Sequence, residues 1–170
     1  MVIKEITYGG LSREHLFDRL KGYPIFLNEF AEMLLFSPHF CPSPQQQSLS
    51  VAEITVGELG LQQGGTLEEI RNQARLLGLV ACPLEAAFYS RFYFTDQEEV
   101  SKEVVNQNPP GALVIYSKPL SADRSFPRGL YLRKIKGDLW LRGYRCSDDY
   151  VWSPLDTFLF QVNASSRTLE

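Results

Sequence analysis

Apolar and polar positions along the chain fall into two rhythms, helical spacing early and strict alternation late. Ser12 is a good N-cap, and Leu11 and Leu16 stand at the spacing of a hydrophobic staple. The pattern predicts a helix to about Lys21, stopped at Gly22. A second helix is expected from Pro24, with Ile25, Phe26, Leu27, Phe30, Ala31, Met33, Leu34 and Leu35 forming a broad apolar stripe. Ser37-Pro38 should end it, because a residue before proline avoids helical geometry. Residues 37–48 hold three prolines and three glutamines and read as an extended loop or linker.

Leu49 to Val56 is rich in β-branched and apolar residues and predicts a strand. Gly57, Gly60, Gly64 and Gly65 punctuate a turn region. Thr66 with Glu69 then forms a capping-box pattern, followed by Leu67, Ile70, Ala74 and Leu77 at helical spacing and by Gly78 as C-cap. Aromatic-dense Phe88 to Thr95 reads as a strand, and 96–111 as a polar excursion. Ala112 to Ser117 is a short apolar run suited to a central strand. GLYLRKIK and LWLRGYR alternate around Gly137-Asp138 and predict a hairpin. A last strand is expected at Thr157 to Val162, and a polar, frayed tail at 164–170.

Together these elements predict an α+β fold: N-terminal helices packed on a mostly antiparallel sheet of four to six strands, with one further helix between strands. Residues 1–48 would form a helical segment plus linker and 49–163 a sheet domain, although a single compact domain is equally compatible with the length.

Composition narrows the classes. With 170 residues, of which 44% are hydrophobic and 22% charged, the chain can bury a core and is too apolar to be disordered. No apolar run approaches the length of a bilayer span, and MVIKEITYGG has no apolar signal region, so no membrane segment and no secretion are expected. The three cysteines, Cys41, Cys82 and Cys146, are far apart and form no CxxC, which suits free thiols in a reducing cytoplasm. Two histidines leave little with which to build a metal site, so neither metal nor cofactor is expected.

The net charge of −3 conceals a block pattern. Residues 101–145 carry nine basic and three acidic groups, between two acidic stretches.

Two stretches resemble a set of uncharacterised bacterial proteins: ELGL…GGT…EI…A…LGL…CP, from Glu58 to Pro83, and DLWLRGY…W, from Asp138 to Tyr144 with Trp152. The resemblance implies a small bacterial cytoplasmic protein and carries over no activity and no functional residues.

Four chemistries can be weighed. The glycines before Thr66 precede a helix N-terminus, where a phosphate could sit. Their spacing fits neither GxGxxG nor GxxxxGK[ST], and Glu68 and Glu69 would repel an anion, so a turn and cap is the better reading. His39 and Cys41 could pair as base and nucleophile, but no local carboxylate orients them. Asp148 and Asp149 are adjacent and would point apart on extended chain; Glu85 suits a helical first turn.

The hairpin is the most informative. Leu130, Leu132, Leu139 and Leu141 would line one face, leaving Tyr131, Arg133, Trp140, Arg142 and Tyr144 on the other. Arginine interleaved with aromatics suits an acidic partner or stacked bases, although burial under another element is the commoner use of such a face. The sequence therefore points to a noncatalytic binding module using 129–145. Its partner would be a protein or a second copy in preference to RNA. The alternative is a small hydrolase or transferase with Cys41, His39 and Glu85 in a cleft between helices and sheet.

Overall fold

A computed structural model describes residues 1–99 and 107–163. Among these residues eight strands form one curled, mixed sheet, and four helices pack on it. The elements in chain order are β1 (Val2–Gly9), α1 (Arg13–Gly22), β2 (Ile25–Leu27), α2 (Glu29–Leu35), β3 (Gln46–Thr55), α3 (Leu67–Leu76), β4 (Leu79–Val80), α4 (Leu84–Tyr93), β5 (Leu113–Ile115), β6 (Gly129–Ile135), β7 (Asp138–Tyr144) and β8 (Thr157–Val162). The sheet order is β1-β3-β8-β5-β6-β7-β2, with β4 pairing on β8 beyond the end of β5. The β2–β7 and β5–β8 pairs are parallel and the other pairs antiparallel.

This corrects the expectation of N-terminal helices on a four-to-six-stranded, mostly antiparallel sheet. The chain opens with an edge strand, β1, whose Ile6 and Tyr8 are buried. Both β1 and β2 belong to the common sheet, through β3 and β7 respectively. The helix expected from Pro24 is instead a three-residue strand followed by α2, because Asn28 caps α2: its side chain accepts from the Ala31 N–H (2.9 Å). An apolar run such as Ile25-Phe26-Leu27 fits strand and helix alike. The strand expected at Phe88 to Thr95 is the helix α4, buried continuously from Glu85 to Arg91. A helix covered on every side shows no polar stripe, so its sequence lacks helical periodicity.

Other elements follow the local signals. Ser12 caps α1, and Thr66 and Glu69 complete a capping box on α3. Lys136 and Gly137 both take positive φ (51° and 82°), as a two-residue hairpin turn between β6 and β7 requires. The tail expected at 164–170 lies outside the described residues.

The two sheet faces bury different cores. One face carries Ile6, Val51, Ile115, Leu132, Leu141 and Leu159 beneath α1, α2 and α4. The curl of the sheet holds α4, which touches β1 toward one end and β6 and β7 toward the other. The opposite face carries Ala52, Ile54, Val114, Phe158 and Phe160 beneath α3, Leu59 and Trp152. Gly64 and Gly65 let the 151–156 segment close over this second core. Gly65 and Trp152 exchange backbone hydrogen bonds (3.1 and 2.8 Å), and a Cβ on Gly64 would meet the Trp152 carbonyl oxygen at 2.2 Å. The glycine cluster therefore serves close backbone approach at the cap of α3.

Candidate functional site

The hairpin register decides which side chains share a face. Tyr131 lies opposite Arg142, Arg133 opposite Trp140, and Gly129 opposite Tyr144. Tyr131, Arg133, Trp140, Arg142 and Tyr144 thus stand together, while Leu130, Leu132 and Leu141 are fully buried on the reverse face. All five are half-buried.

The face divides along its length. Tyr131 and Tyr144 lean into the second core, and Tyr144 packs edge-on against Trp152 (5.8 Å between centroids). Burial pushes both phenols above their ordinary range, so they stay neutral. The other part of the face lies toward the β2 edge. Phe26, paired in register with Trp140, stacks on it at 5.2 Å and 28° and is 42% exposed. The Arg142 guanidinium lies 5.4 Å from the Trp140 ring centroid, and its Nε is shielded from water without a hydrogen-bond partner. Among the described residues no carboxylate forms an ion pair with Arg133 or Arg142.

The backbone under this patch is pinned from within. Arg91 of α4 is fully buried and donates to the Trp140 carbonyl (3.1 Å) and the Arg133 carbonyl (3.4 Å), and also to Phe94 O and Gln97 Oε1. Every one of these acceptors is neutral, and desolvation lowers the guanidinium to about 10. The buried cation joins the hairpin to α4, and nothing in the sequence signalled this role.

His39 and Cys41 are both exposed, on the loop between α2 and β3. Glu85 is buried and occupied: both its oxygens accept from the Ser43 N–H (3.0 Å each), and one accepts from the Ser43 hydroxyl (2.6 Å). The carboxylate thus fastens the 37–45 loop to α4. No hydrogen bond or ion pair links any two of His39, Cys41 and Glu85. Among the described residues, no group of three or more His, Cys, Asp or Glu is placed to hold a metal ion, and no helix is long and apolar enough to cross a membrane.

A second concavity went unforeseen. Between α3 and the strands lies a cleft of about 440 Å³, with Arg71, Arg75, Lys118 and Arg128 on its walls and Tyr116 and Phe160 among its floor residues. The block of positive charge at 101–145 hinted at one wall. The other comes from α3, where Arg71 and Arg75 follow an acidic first turn in a pattern that the helix dipole alone accounts for.

No family model, curated protein or solved structure matches the chain.

Proposed function

We propose that this is a noncatalytic binding protein of the cytoplasm whose contact surface is the β2-edge half of the hairpin face: Phe26, Arg133, Trp140 and Arg142. The observation that carries the proposal is the stacked Phe26–Trp140 pair at the sheet edge, flanked by arginines that form no ion pair among the described residues. Rigid aromatics beside arginine are the residue types that dominate binding energy at protein interfaces. The pinned backbone beneath Trp140 means that little ordering remains to be done on contact. A carboxylate from a partner would supply the missing acceptor for Arg142. The fitting partner is therefore an acidic protein surface, of which a second copy of this chain is one example.

Cross-linked capture from the native cell, with identification of the attached protein, tests this reading on Trp140→Ala and Arg142→Ala. Both variants should melt within a few degrees of the parent and lose an acidic partner that the parent retains. If both unfold, the side chains are structural and the reading fails. If the parent captures RNA with a steep salt dependence and Trp140→Ala does not, the partner class is wrong.

A further inference from the structure

We propose that the cleft between α3 and the β4–β5 end of the sheet is a binding site for a small organic dianion, a phosphate monoester with a compact ring or hydrocarbon body. This is a different site from the hairpin patch and stands without it. Four cations reach the cleft from separate parts of the chain: Arg71 and Arg75 one helical turn apart on α3, Lys118 after β5, and Arg128 at the entry to β6. Among the described residues the cleft is lined by no carboxylate. Among the described residues, Arg71 is the one of the four that forms an ion pair, an exposed contact to Glu68 at 3.4 Å. Four like charges facing one hollow repel each other, and an anion between them turns that cost into attraction.

The site is also partly built in advance. Arg128 donates to the Ser117 carbonyl (2.7 Å), and its guanidinium lies 5.9 Å from the Tyr116 ring centroid, so one arm of the clamp is fixed. Arg128, Arg71 and Arg75 line the same cleft as Tyr116, and their charges favour its ionised form. Burial outweighs them and keeps that phenol protonated, so it can donate to a bound oxygen as well. Beneath the cations, Leu79, Ala81 and the Tyr116 and Phe160 rings (5.0 Å between centroids) form an apolar floor. Charged walls over an apolar floor suit an anionic head joined to a nonpolar body, and the volume suits a molecule of mononucleotide size. Arginine forks match the oxygens of a phosphate in a way that a point charge does not.

Isothermal titration calorimetry with inorganic phosphate, a nucleoside monophosphate and succinate tests the proposal on the intact chain. The monophosphate should bind saturably, at least tenfold more tightly than inorganic phosphate or succinate. Arg75→Gln and Arg128→Gln should each weaken it tenfold or more. Arg124→Gln, which removes one charge of the same basic segment outside the cleft, should leave it within twofold. Arg75 is exposed on a helix, so Arg75→Gln should keep the parent's circular dichroism and melting curve even if Arg128→Gln does not. Three results would overturn the proposal: no saturable binding of any probe at millimolar concentration, equal weakening by Arg124→Gln and Arg75→Gln, or tighter binding of succinate than of the monophosphate. A hundredfold preference for a single-stranded RNA hexamer over the monophosphate would also overturn it, replacing a small-molecule site with a nucleic-acid track.

Discussion

The side chain of Asn28 and the main chain of Gly143 exchange two hydrogen bonds. Nδ2 donates to the Gly143 carbonyl (3.0 Å), and the Gly143 N–H donates to Oδ1 (2.8 Å), which also caps α2 through Ala31. The amide thus acts as one more residue of β2, extending its parallel pairing with β7 for a step after the main chain has turned into helix. Asn28→Ala would leave the Gly143 polar groups without partners and remove the cap. The expected loss is about 2–3 kcal/mol in urea denaturation. A loss below about 0.5 kcal/mol would show that water replaces the amide at no cost.

Gly143 also sets how closely α2 approaches the sheet. A Cβ there would lie 2.5 Å from the Phe30 carbonyl carbon and 2.7 Å from the Ala31 nitrogen, both backbone atoms that cannot swing aside. Gly143→Ala should therefore cost about 3 kcal/mol or more, and should also lower the protection of α2 amides from hydrogen exchange. A variant as stable as the parent would mean that α2 can slide along β7.

Arg91 separates two effects that are usually mixed. Arg91→Ala leaves a cavity and bare carbonyls, and should lose about 3 kcal/mol or more. Arg91→Met fills the space and avoids burying a charge, so it should lose roughly half as much or less. Hydrogen exchange in β6 and β7 should quicken in both variants, because both free the Trp140 and Arg133 carbonyls. Unchanged exchange in the hairpin would show that α4 does not hold it.

The sequence made the locally encoded parts of this fold legible. Ser12, Thr66 with Glu69, and the alternation of 129–144 each satisfy their own hydrogen bonds or faces within a few residues, so they could be read in place. Residues 25–27 and 84–93 could not. The short apolar run 25–27 fits strand and helix alike, and 84–93 is buried almost continuously by distant parts of the chain, which erases periodicity. The cap at Asn28 and the Pro83–Glu85 entry to α4 were the available signals. The five hairpin residues share a face as the alternation implies, but the division of that face between core and open edge depends on Trp152 and Phe26, which lie elsewhere in the sequence. The basic cleft needed α3 and the β5–β6 connection to be brought together before it existed.

Thiol chemistry should report on the packing. Cys82 is 3% exposed, and burial pushes its thiol up to about 12, whereas Cys41 is exposed. At pH 8 iodoacetamide should modify Cys41 first, the half-buried Cys146 more slowly, and Cys82 only at the rate of global unfolding. Mass spectrometry of alkylated peptides resolves the order. Modification of Cys82 in the native protein as fast as Cys41 would contradict the packing around β8.

Asp156 gives a pH signature. It is buried, its oxygens accept from Asn108 Nδ2 and the Ser153 N–H (2.8 Å each), and desolvation raises its carboxyl above the ordinary value despite them. A raised folded-state value favours the protonated form. Its contribution to stability is fully present below about pH 4 and is lost as pH rises through the folded value. Asp156→Asn removes that titration. Urea midpoints measured from pH 4 to pH 7 should therefore move in favour of the variant, relative to the parent, as pH rises, and then level off. Parallel curves would mean that the carboxyl ionises equally easily in both states.

Among the described residues β8 is the last strand in the chain, yet it lies inside the sheet between β3 and β5, which both precede it. During synthesis both neighbours must wait with bare hydrogen-bonding edges until Thr157–Val162 emerges. A ribosome stalled before that point would hold a chain split between β3 and β5, with two sticky seams, so misassembly and chaperone demand should fall most heavily on the interval before Thr157–Val162 emerges.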